Sequence, residues 1–455
     1  MPCRRSGRRA AVTILALTLA TLAAASARAA EPGNEWHQWR GPHFNGASDA
    51  TNIPEKFDDS TNVRWTTAMP GPSSGTPIIA ADRVFVSALD KASKKLLAMC
   101  VSRKDGKILW SKEVGEGFEQ NQRNNLASPS PLTDGKTVWF YYGTGDLVAF
   151  DLEGKQQWAR NIARDYGPFN YQWIYGSSPT LYDGRLYIQV LHRDVPVGRG
   201  NRGNSNQGGP AASYLLAVDP ATGKNIWKHD RPNEAVGESK ESYGTPIPME
   251  VGGKKLILAI GGDCVTANDA GTGDEVWRCG GWNVSTPKRS DWRIVPTVVV
   301  AGGLVIACPP KGGAVFAIKP DGTGDVTKTH VSWTNKDLSS DVCVPLFYKD
   351  ELFVLNGDKK TLYRVDPATG KIETSVNLGG NDVFRASPTA ADGRIFCMNE
   401  AGEVWVVSPA GDKLTVLNKA DLGAGGQLAS RSSVALADGE VFVRTGEKLY
   451  CIGGK

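Results

Sequence analysis

The chain has 455 residues, of which 40% are apolar and 22% are charged, and its formal net charge is +4. This length excludes a single small core, and the apolar content is too low for a polytopic membrane protein. The net charge is small for the length, so composition gives no argument for nucleic-acid binding.

Residues 1–29 form a predicted targeting segment that is removed on export. An arginine-rich start precedes an apolar run over Ala10–Ala25, and Ala27-Arg28-Ala29 supplies small residues for cleavage. The apolar run is shorter than a comfortable membrane span, although a retained anchor is the alternative. We therefore predict a mature protein in the periplasm, at the cell surface or outside the cell.

Residues 30–62 form a predicted N-terminal arm with little strand pattern. Trp36 and Trp39 stand close together in the sequence W-H-Q-W-R-G-P. Two neighbouring tryptophans could form a platform for a sugar, because their rings offer large flat apolar faces. The alternative is that both rings hold the arm against the body of the protein.

A repeated hairpin organises the chain after the arm. Its clearest copy is L-L-A-V-D-P-A-T-G-K-N-I-W, from Leu215 to Trp227, where alternating apolar residues indicate a strand. Asp219 and Pro220 suit the first two positions of a type I turn, and Gly223 suits the left-handed position before the partner strand. Copies recur roughly every 50 residues, which is typical of a radial array of four-stranded units.

The repeats predict an all-β fold, an eight-bladed β-propeller of four-stranded antiparallel blades over residues 63–455. Seven blades are the alternative, because the sixth and seventh copies are weak. Val63–Thr67 has the pattern of the end of a repeat, and Leu449–Ile452 is a half-repeat at the C-terminus. Pairing the two would close the ring and remove open sheet edges. An insertion rich in Gly, Asn and Arg, from Arg193 to Ala212, is a predicted mobile loop in the third blade.

The segment A-V-D-P-A-T-G-K-N-I-W resembles the pyrroloquinoline quinone (PQQ) repeat. That repeat builds the eight-bladed propellers of quinoprotein alcohol dehydrogenases and occurs in BamB-like outer-membrane assembly lipoproteins. The resemblance covers about Val63 to Ile452, and the arm W-H-Q-W-R-G-P-x-F-N-G resembles the opening of exported PQQ-like propellers of planctomycete-type bacteria. In this family the repeat's tryptophan docks between blades. The resemblance implies that role for Trp65, Trp110, Trp158, Trp227 and Trp277, and for Trp333 in a stretched copy.

The resemblance is specific for the fold, but one propeller hosts many functions. Quinoprotein dehydrogenases carry a vicinal Cys-Cys disulfide against the cofactor, and a calcium site of Glu, Asn and Asp beside a catalytic Asp. This sequence has no Cys-Cys pair and no lipobox cysteine of the BamB-like kind. We therefore expect no cofactor and no metal. PQQ and calcium would bind only in the alternative of a quinoprotein, with Glu241 or Asp341 among the carboxylates.

The entrance to the propeller axis is where a ligand site is expected, because the innermost strands of all blades converge there. A Ser/Thr-Pro element marks the start of most innermost strands, and polar residues precede it. The candidates for binding a polar ligand, such as a sugar, a peptide or a cofactor, are Asn124, Tyr175, Glu241, Tyr243, Arg293, Asp341, Arg385 and Arg431. A solvated rim whose charges pair with one another is the alternative.

Two cysteines, Cys264 and Cys279, flank the turn of the fourth blade. Counting outward from the turn places them opposite each other, at a separation that a disulfide accepts. An exported protein could oxidise such a pair, and the alternative is two reduced thiols packed side by side. A slip of one residue in register would place them on opposite faces of the sheet and exclude the bond.

These patterns predict an exported, monomeric, non-catalytic binding or scaffold protein. Its partner would be a protein or a saccharide, bound through one face or the axial rim. The alternative is a PQQ- and calcium-dependent quinoprotein oxidoreductase of the alcohol or sugar dehydrogenase type. No catalytic residue is predicted, because no Ser-His-Asp order, paired carboxylates or phosphate-binding glycine loop stands out. Neither a nucleic-acid partner nor a membrane span in the mature chain is expected.

Overall fold

The structure is a computed structural model that describes residues 1–2, 33–121, 123–193, 212–235, 237–281, 292–309, 313–423 and 430–453. The predicted targeting segment, apart from its first two residues, and positions 194–211 of the predicted insertion lie outside the described residues. Within the described ranges, no helix is long and apolar enough to cross a membrane.

The described strands form eight antiparallel blades in a ring, an eight-bladed β-propeller with almost no helix. Each blade is a meander, and the first strands of neighbouring blades contact one another around the axis. The predicted fold class and the number of blades are therefore confirmed. The alternating apolar residues of each strand bury both faces, so the core lies between the stacked blades.

The strands fall into eight groups in chain order. β1 (Val63–Ala68) belongs to the last blade. Blade 1 contains β2 (Ile78–Ala80), β3 (Arg83–Leu89), β4 (Lys95–Ser102) and β5 (Ile108–Glu116), and blade 2 contains β6 (Leu132–Thr133), β7 (Thr137–Tyr141), β8 (Asp146–Asp151) and β9 (Gln156–Asn161). Blade 3 contains β10 (Thr180–Tyr182), β11 (Arg185–Val190), β12 (Tyr214–Val218) and β13 (Asn225–Asp230), and blade 4 contains β14 (Ile247–Val251), β15 (Lys254–Gly261), β16 (Cys264–Asp269) and β17 (Glu275–Gly280).

Blade 5 contains β18 (Val299–Ala301), β19 (Leu304–Ala307), β20 (Val315–Ile318) and, after β21 (Gly324–Asp325) in the chain, β22 (Val331–Asn335). Blade 6 contains β23 (Leu346–Tyr348), β24 (Glu351–Asn356), β25 (Thr361–Val365) and β26 (Ile372–Asn377), and blade 7 contains β27 (Thr389–Ala391), β28 (Arg394–Met398), β29 (Glu403–Ser408) and β30 (Thr415–Asp421). Blade 8 contains β31 (Ala435–Ala437), β32 (Glu440–Arg444) and β33 (Lys448–Gly453) together with β1. The short β21 adds a fifth, parallel strand to blade 4. In the described residues, helix is limited to α1 (Ile162–Tyr166), capped by Asn161, and a 3₁₀ turn (Gly237–Lys240).

The ring closes between the two ends of the propeller. β1 pairs antiparallel with β33, with Thr66 opposite Tyr450, so the N-terminal strand completes blade 8. The predicted closure by Val63–Thr67 is confirmed. Pairing β1 with β33 leaves no open blade edge at the junction, which explains why half-repeats stand at both ends.

A β-bulge recurs between the last two strands of the blades. In blade 4, Asn268 pairs with Glu275 but Ala267 pairs with Trp277, so Val276 is an extra residue. Equivalent register shifts occur in β4–β5, β8–β9, β12–β13, β20–β22, β25–β26 and β29–β30. The extra residue directly precedes the repeat's tryptophan where one is present. A bulge bends the strand and changes the direction of the next side chain, so it sets the orientation of the indole.

Each repeat tryptophan joins its blade to the next one. The indole N–H donates to a backbone carbonyl in the following blade's turn, at 2.8–3.1 Å, for Trp65, Trp110, Trp158, Trp227, Trp277 and Trp333. The ring also lies against that turn: a Cβ on Gly223 would come within 2.6 Å of Trp158. Glycine is thus required there by close contact as well as by its positive φ.

The bulge corrects the predicted pairing of the two cysteines. Cys264 lies opposite Gly280, and Cys279 lies opposite Val265, so the predicted register is wrong by one residue. The count from the turn is right only as far as Asn268, where the bulge begins. The two side chains therefore point to opposite faces of the blade, and both thiols are free and buried.

A candidate binding pocket at the propeller axis

Hydroxyl groups surround the axis at the start of the innermost strands. Seven of the eight blades place a Ser or Thr at the same position, and we call these residues the hydroxyl ring: Thr76, Ser130, Ser178, Thr245, Thr297, Ser387 and Ser433. Blade 6 has Val344 there. Six backbone N–H groups at this position donate to the hydroxyl of the next blade, at 2.6–3.2 Å. These bonds tie neighbouring blades together around the axis.

A cavity of about 230 Å³ opens above this ring. Its wall contains the residue two positions before the hydroxyl-ring position in every blade: Ser74, Ser128, Gly176, Tyr243, Val295, Val342, Arg385 and Arg431. Side chains two positions apart on an extended strand face the same way, so both sets face the axis. Because all eight blades contribute, the cavity lies on the axis of the ring, and we call it the axial pocket.

Arginines dominate one side of the axial pocket. Arg385 and Arg431 come from blades 7 and 8, and Arg123 comes from the segment that leads into blade 2. Arg385 donates to Asp358 at 2.7 Å, and Arg431 pairs with Glu400 at 2.6 Å. Arg123 lies over the Trp173 ring at 5.8 Å and pairs with no carboxylate in the part of the chain that the structure describes. This side of the pocket therefore presents three guanidinium groups.

The opposite side is aromatic. Trp173, Tyr243 and Trp292 come from the segments that lead into blades 3, 4 and 5. Trp173 is held in place by its indole N–H, which donates to Glu238 at 3.0 Å, and by its backbone N–H, which donates to the Tyr243 hydroxyl at 3.2 Å. Trp292 is 40% exposed at the mouth and lies under the Arg293 guanidinium at 5.6 Å. The pocket is thus amphipathic: its aromatic faces, with Glu238 and Arg293 among them, lie on one side, and the other three guanidinium groups lie on the other.

The N-terminal arm crosses the axis and closes the pocket from the other end. The arm's backbone carbonyls at Trp36 and His37 accept from blades 1 and 2, and the Gln38 side chain accepts from blade 3, at 2.9–3.1 Å. On the far side, the buried Arg40 donates to carbonyls of blades 6 and 7, at Pro345 and Pro388. Trp39 lies between these anchors and lines the axial pocket.

Five of the eight predicted rim residues line the axial pocket: Asn124, Tyr243, Arg293, Arg385 and Arg431. Asp341 is one step removed and accepts from Arg293 at 3.2–3.3 Å. Glu241 and Tyr175 are almost fully buried. The prediction of Tyr175 as a rim residue is corrected: its hydroxyl donates to the Gln189 carbonyl at 2.8 Å, inside an aromatic cluster between blades.

Glu241 lies in a polar network behind the pocket wall. It accepts from Arg193, from the Tyr243 hydroxyl at 2.6 Å and from the Gln172 backbone at 3.1 Å. Burial raises the pKa of Glu241 to about 7, although Arg193 and Tyr243 act to lower it. The carboxyl is therefore a positioning group for Tyr243 rather than a part of the pocket surface.

Sequence reasoning missed several residues of the pocket: Trp39 as its floor, Arg123, Trp173, Glu238, Trp292 and the hydroxyl ring. One signal could have found part of them. Counting back two residues from each Ser or Thr of the ring selects the wall residue of every blade, because a strand has period two. No local signal identifies Trp39, Trp173 or Trp292, since they lie in irregular segments.

The donor set does not suit the calcium ion of the quinoprotein alternative. The carboxylates at the pocket already have partners. Glu238, which lines it, accepts from Trp173 and lies 3.8 Å from the Arg293 guanidinium, and behind the wall Asp341, Asp358 and Glu400 pair with Arg293, Arg385 and Arg431. Calcium needs six to eight oxygen ligands, and a guanidinium beside it would repel it. Among the described residues, no group of three or more His, Cys, Asp or Glu is placed to hold a metal.

Comparison with known proteins places the chain among PQQ-repeat propellers. A family model described as outer membrane protein assembly factor BamB matches residues 56–188, 211–323 and 311–455. No curated protein matches the chain.

Solved structures show the same fold at low identity. BamB from Moraxella catarrhalis is 12% identical with a TM-score of 0.57, and the match covers 85% of this chain and 98% of that one. The quinohemoprotein alcohol dehydrogenase from Comamonas testosteroni is 11% identical with a TM-score of 0.62, covering 93% and 81%. That of Pseudomonas putida HK5, ADHIIG, is 13% identical with a TM-score of 0.61, covering 93% and 80%. At these identities the similarity shows the fold alone.

Proposed function

This chain belongs to the family described as outer membrane protein assembly factor BamB, and from that premise we propose that it is a non-catalytic binding protein. Its ligand is an organic anion held in the axial pocket. The protein acts outside the cytoplasm, in the periplasm or at the cell surface, as a monomer. A protein partner on one face of the propeller is compatible with this role, since the axial pocket occupies only the centre.

The observation that carries the proposal is the division of the pocket into two sides. Three guanidinium groups, of Arg123, Arg385 and Arg431, lie on one side, and the rings of Trp173 and Trp292 lie on the other. Burial lowers the pKa of Arg431 although its partner Glu400 acts to raise it, and the neighbouring charges of Arg123 and Arg385 add smaller contributions that lower it. Asp358 and Glu400 compensate the charges of Arg385 and Arg431, whereas Arg123 has no carboxylate partner among the described residues, so an anion in the pocket would gain the attraction of Arg123. A ligand with an anionic group and an apolar face satisfies both sides.

The alternative, a PQQ- and calcium-dependent oxidoreductase, has support from fold similarity to quinohemoprotein alcohol dehydrogenases. The donor chemistry described above weighs against it, because the carboxylates near the pocket already pair with arginines. PQQ is itself a flat polyanion, so binding of PQQ without oxidation of an alcohol is consistent with our proposal.

Titration of the purified protein with organic anions tests the proposal. We expect quenching of tryptophan fluorescence that saturates and weakens as salt rises, because charge attraction contributes to binding. Arg431→Gln should reduce affinity by about tenfold, which corresponds to about 1.4 kcal/mol. Arg185→Gln is the matched control and should bind normally, because Arg185 lies at the start of β11, pairs with Asp183 and does not line the pocket.

Two results would overturn the proposal. The first is an unchanged affinity in Arg431→Gln for every anion that binds. The second is dye-linked alcohol oxidation that depends on added PQQ and Ca²⁺, since this would establish an enzyme.

A further inference from the structure

We propose that the axial pocket binds the end of an acidic oligosaccharide, with the anionic group on the arginine side and a sugar face on the tryptophans. This inference rests on the proposed function and narrows it to one class of ligand. The hydroxyl ring, which has no part in the proposed function, supplies the contacts that distinguish this ligand.

Four hydroxyls of the ring both line the pocket and keep a free proton donor. Ser178, Thr245, Ser387 and Ser433 each accept one backbone N–H from the preceding blade. None of these hydroxyls donates to an acceptor of the described chain, and each residue is at most 6% exposed. Because the backbone bond occupies a lone pair, the O–H is left to point elsewhere. Buried donors normally have a partner, so these four point to acceptors on a ligand.

These donors lie on both sides of the pocket. Ser387 and Ser433 lie in the segments that lead into β27 of blade 7 and β31 of blade 8, where Arg385 and Arg431 stand two residues earlier. Ser178 and Thr245 belong to blades 3 and 4, on the aromatic side. A ligand with oxygen atoms all around its edge can satisfy both pairs, whereas a ligand with a single charged group cannot.

The number of polar atoms favours a saccharide over a flat aromatic anion. Ser74 adds one more hydroxyl to the wall, where it accepts from the Asn125 amide, whereas the Ser128 hydroxyl already donates to Asn124. A sugar ring carries hydroxyls at its edge and C–H groups on its faces. It can therefore accept hydrogen bonds from the ring while it packs on Trp39 or Trp173. A flat aromatic anion that places its carboxylates on the arginine side would leave the hydroxyls of Ser178 and Thr245, on the aromatic side, without acceptors, which costs free energy.

The arginine side specifies that the sugar is acidic. Guanidinium groups bind carboxylate and sulfate through paired N–H donors, and a neutral sugar would leave Arg123, which has no carboxylate partner among the described residues, without an anion. Carboxylated and sulfated saccharides share this chemistry, so both belong to the predicted class.

A ligand panel on the full chain tests the inference by calorimetry. The probes are tetragalacturonate, its methyl ester as the neutral match, a sulfated galactan tetrasaccharide and PQQ as a flat anion. We expect the acid or the sulfated sugar to bind at least about tenfold more tightly than the methyl ester. Binding of the sulfated sugar alone would support the class and assign sulfate as the anion.

The panel also tests the proposed binding of an organic anion and the narrower inference of an acidic saccharide separately. Binding of PQQ without either acidic sugar would overturn the saccharide and leave the organic-anion proposal standing. Equal binding of acid and ester would overturn the anionic character, and with it both proposals. Binding of none of the four probes would overturn the saccharide inference, while Arg431→Gln with other anions would still decide the proposed function.

Variants of the ring distinguish binding from folding. The double variant Ser387→Ala with Ser433→Ala should weaken acidic-sugar binding by about tenfold, and Ser433→Thr, which keeps the hydroxyl, should retain it. Ser130→Ala is the matched control, because Ser130 accepts the same kind of backbone bond at 2.9 Å but does not line the pocket. It should lower thermal stability without changing affinity. An affinity loss in Ser130→Ala equal to that of the double variant would show that the ring acts only through folding, and would overturn the inference.

Discussion

Side-chain direction along the innermost strands decides which residues reach the axial pocket. Tyr243, Arg385 and Arg431 precede their hydroxyl-ring position by two residues and face the axis, as period-two alternation requires. Tyr175 precedes Ser178 by an odd number of positions and turns into the aromatic core, while its neighbour Gly176 faces the pocket. A polar or aromatic residue near a rim is therefore a weak signal unless its register is known.

Trp39 offers a test of the arm's part in binding. Trp39→Ala should weaken ligand binding by about tenfold, because the ring supplies a packing face at the floor of the pocket. Melting temperature should change little, since the anchors of the arm at Arg40 and Gln38 remain. Trp36→Ala is the contrasting variant: Trp36 is fully buried and should cost about 3–5 kcal/mol of stability. Normal affinity in Trp39→Ala would remove the arm from the binding site.

The Glu241 carboxyl predicts a pH dependence of stability. Its pKa is raised by burial to about 7 in the folded protein, so the folded state holds the proton more tightly than the unfolded chain. The stability that it contributes is complete at acid pH, below the ordinary carboxyl pKa, and is lost as pH rises through about 7. Glu241→Gln lacks the titrating carboxyl and should not show this loss. Its melting temperature should therefore rise relative to that of the native chain as the pH increases from about 5 to about 8. A constant difference across that range would contradict the assignment.

At the scale of the blades, a side-chain hydrogen bond to the turn of the next blade is kept even where the repeat has lost its tryptophan. Blade 6 has Thr374 opposite Arg364, at the position where other blades pair their third strand with tryptophan. Arg364 itself reaches into blade 7 and donates to the carbonyls of Pro409 and Gly411, at 3.0 and 2.8 Å. The guanidinium thus makes the hydrogen bond that the indole makes elsewhere. This explains why a weak repeat still forms a regular blade.

Arg364→Ala should destabilise the propeller by about 2–3 kcal/mol, since it removes two bonds from a charged donor and leaves their acceptors without a partner. Urea unfolding measures the effect, and Lys371→Ala, an exposed cation on the same blade, is the control that should change stability little. A loss no larger than that of the control would show that Arg364 does not replace the indole.

At the scale of the whole molecule, closure of the ring depends on a single strand from the other end of the chain. β1 shields the edge of β33, and the arm segment that precedes β1 packs against blade 7, where Asn418 on the outermost strand donates to the Phe57 carbonyl at 2.9 Å. Phe57 is itself buried in the cluster that joins blades 7, 8 and 1. The strand that closes the ring and the arm segment before it therefore pack against the same blades.

Deletion of residues 63–68 should expose the β33 edge and lead to aggregation or a large loss of thermal stability. Size-exclusion chromatography and melting experiments measure both effects. Trp65→Phe is the matched variant, because it keeps the strand and loses only the indole bond to the Arg103 carbonyl; it should remain monomeric with a modest loss. A monomeric, stable deletion variant would contradict the role of β1 in closure.

The sequence by itself determined the fold class, the number of blades and the closing strand. Turn residues such as Asp219 and Gly223, and strand alternation, act over a few positions, so they are visible in any copy of the repeat. It did not determine the register of Cys264 and Cys279, because a bulge inserts Val276 between the turn and the cysteines.

Only the tertiary structure decided the candidate site. The axial pocket joins Trp39 of the arm to Arg123, Arg385 and Arg431, which are brought together when the ring closes. The side chains that meet there come from all eight blades, so no local pattern contains them. Their meeting follows from the geometry of a closed ring, in which the start of every innermost strand points to one axis.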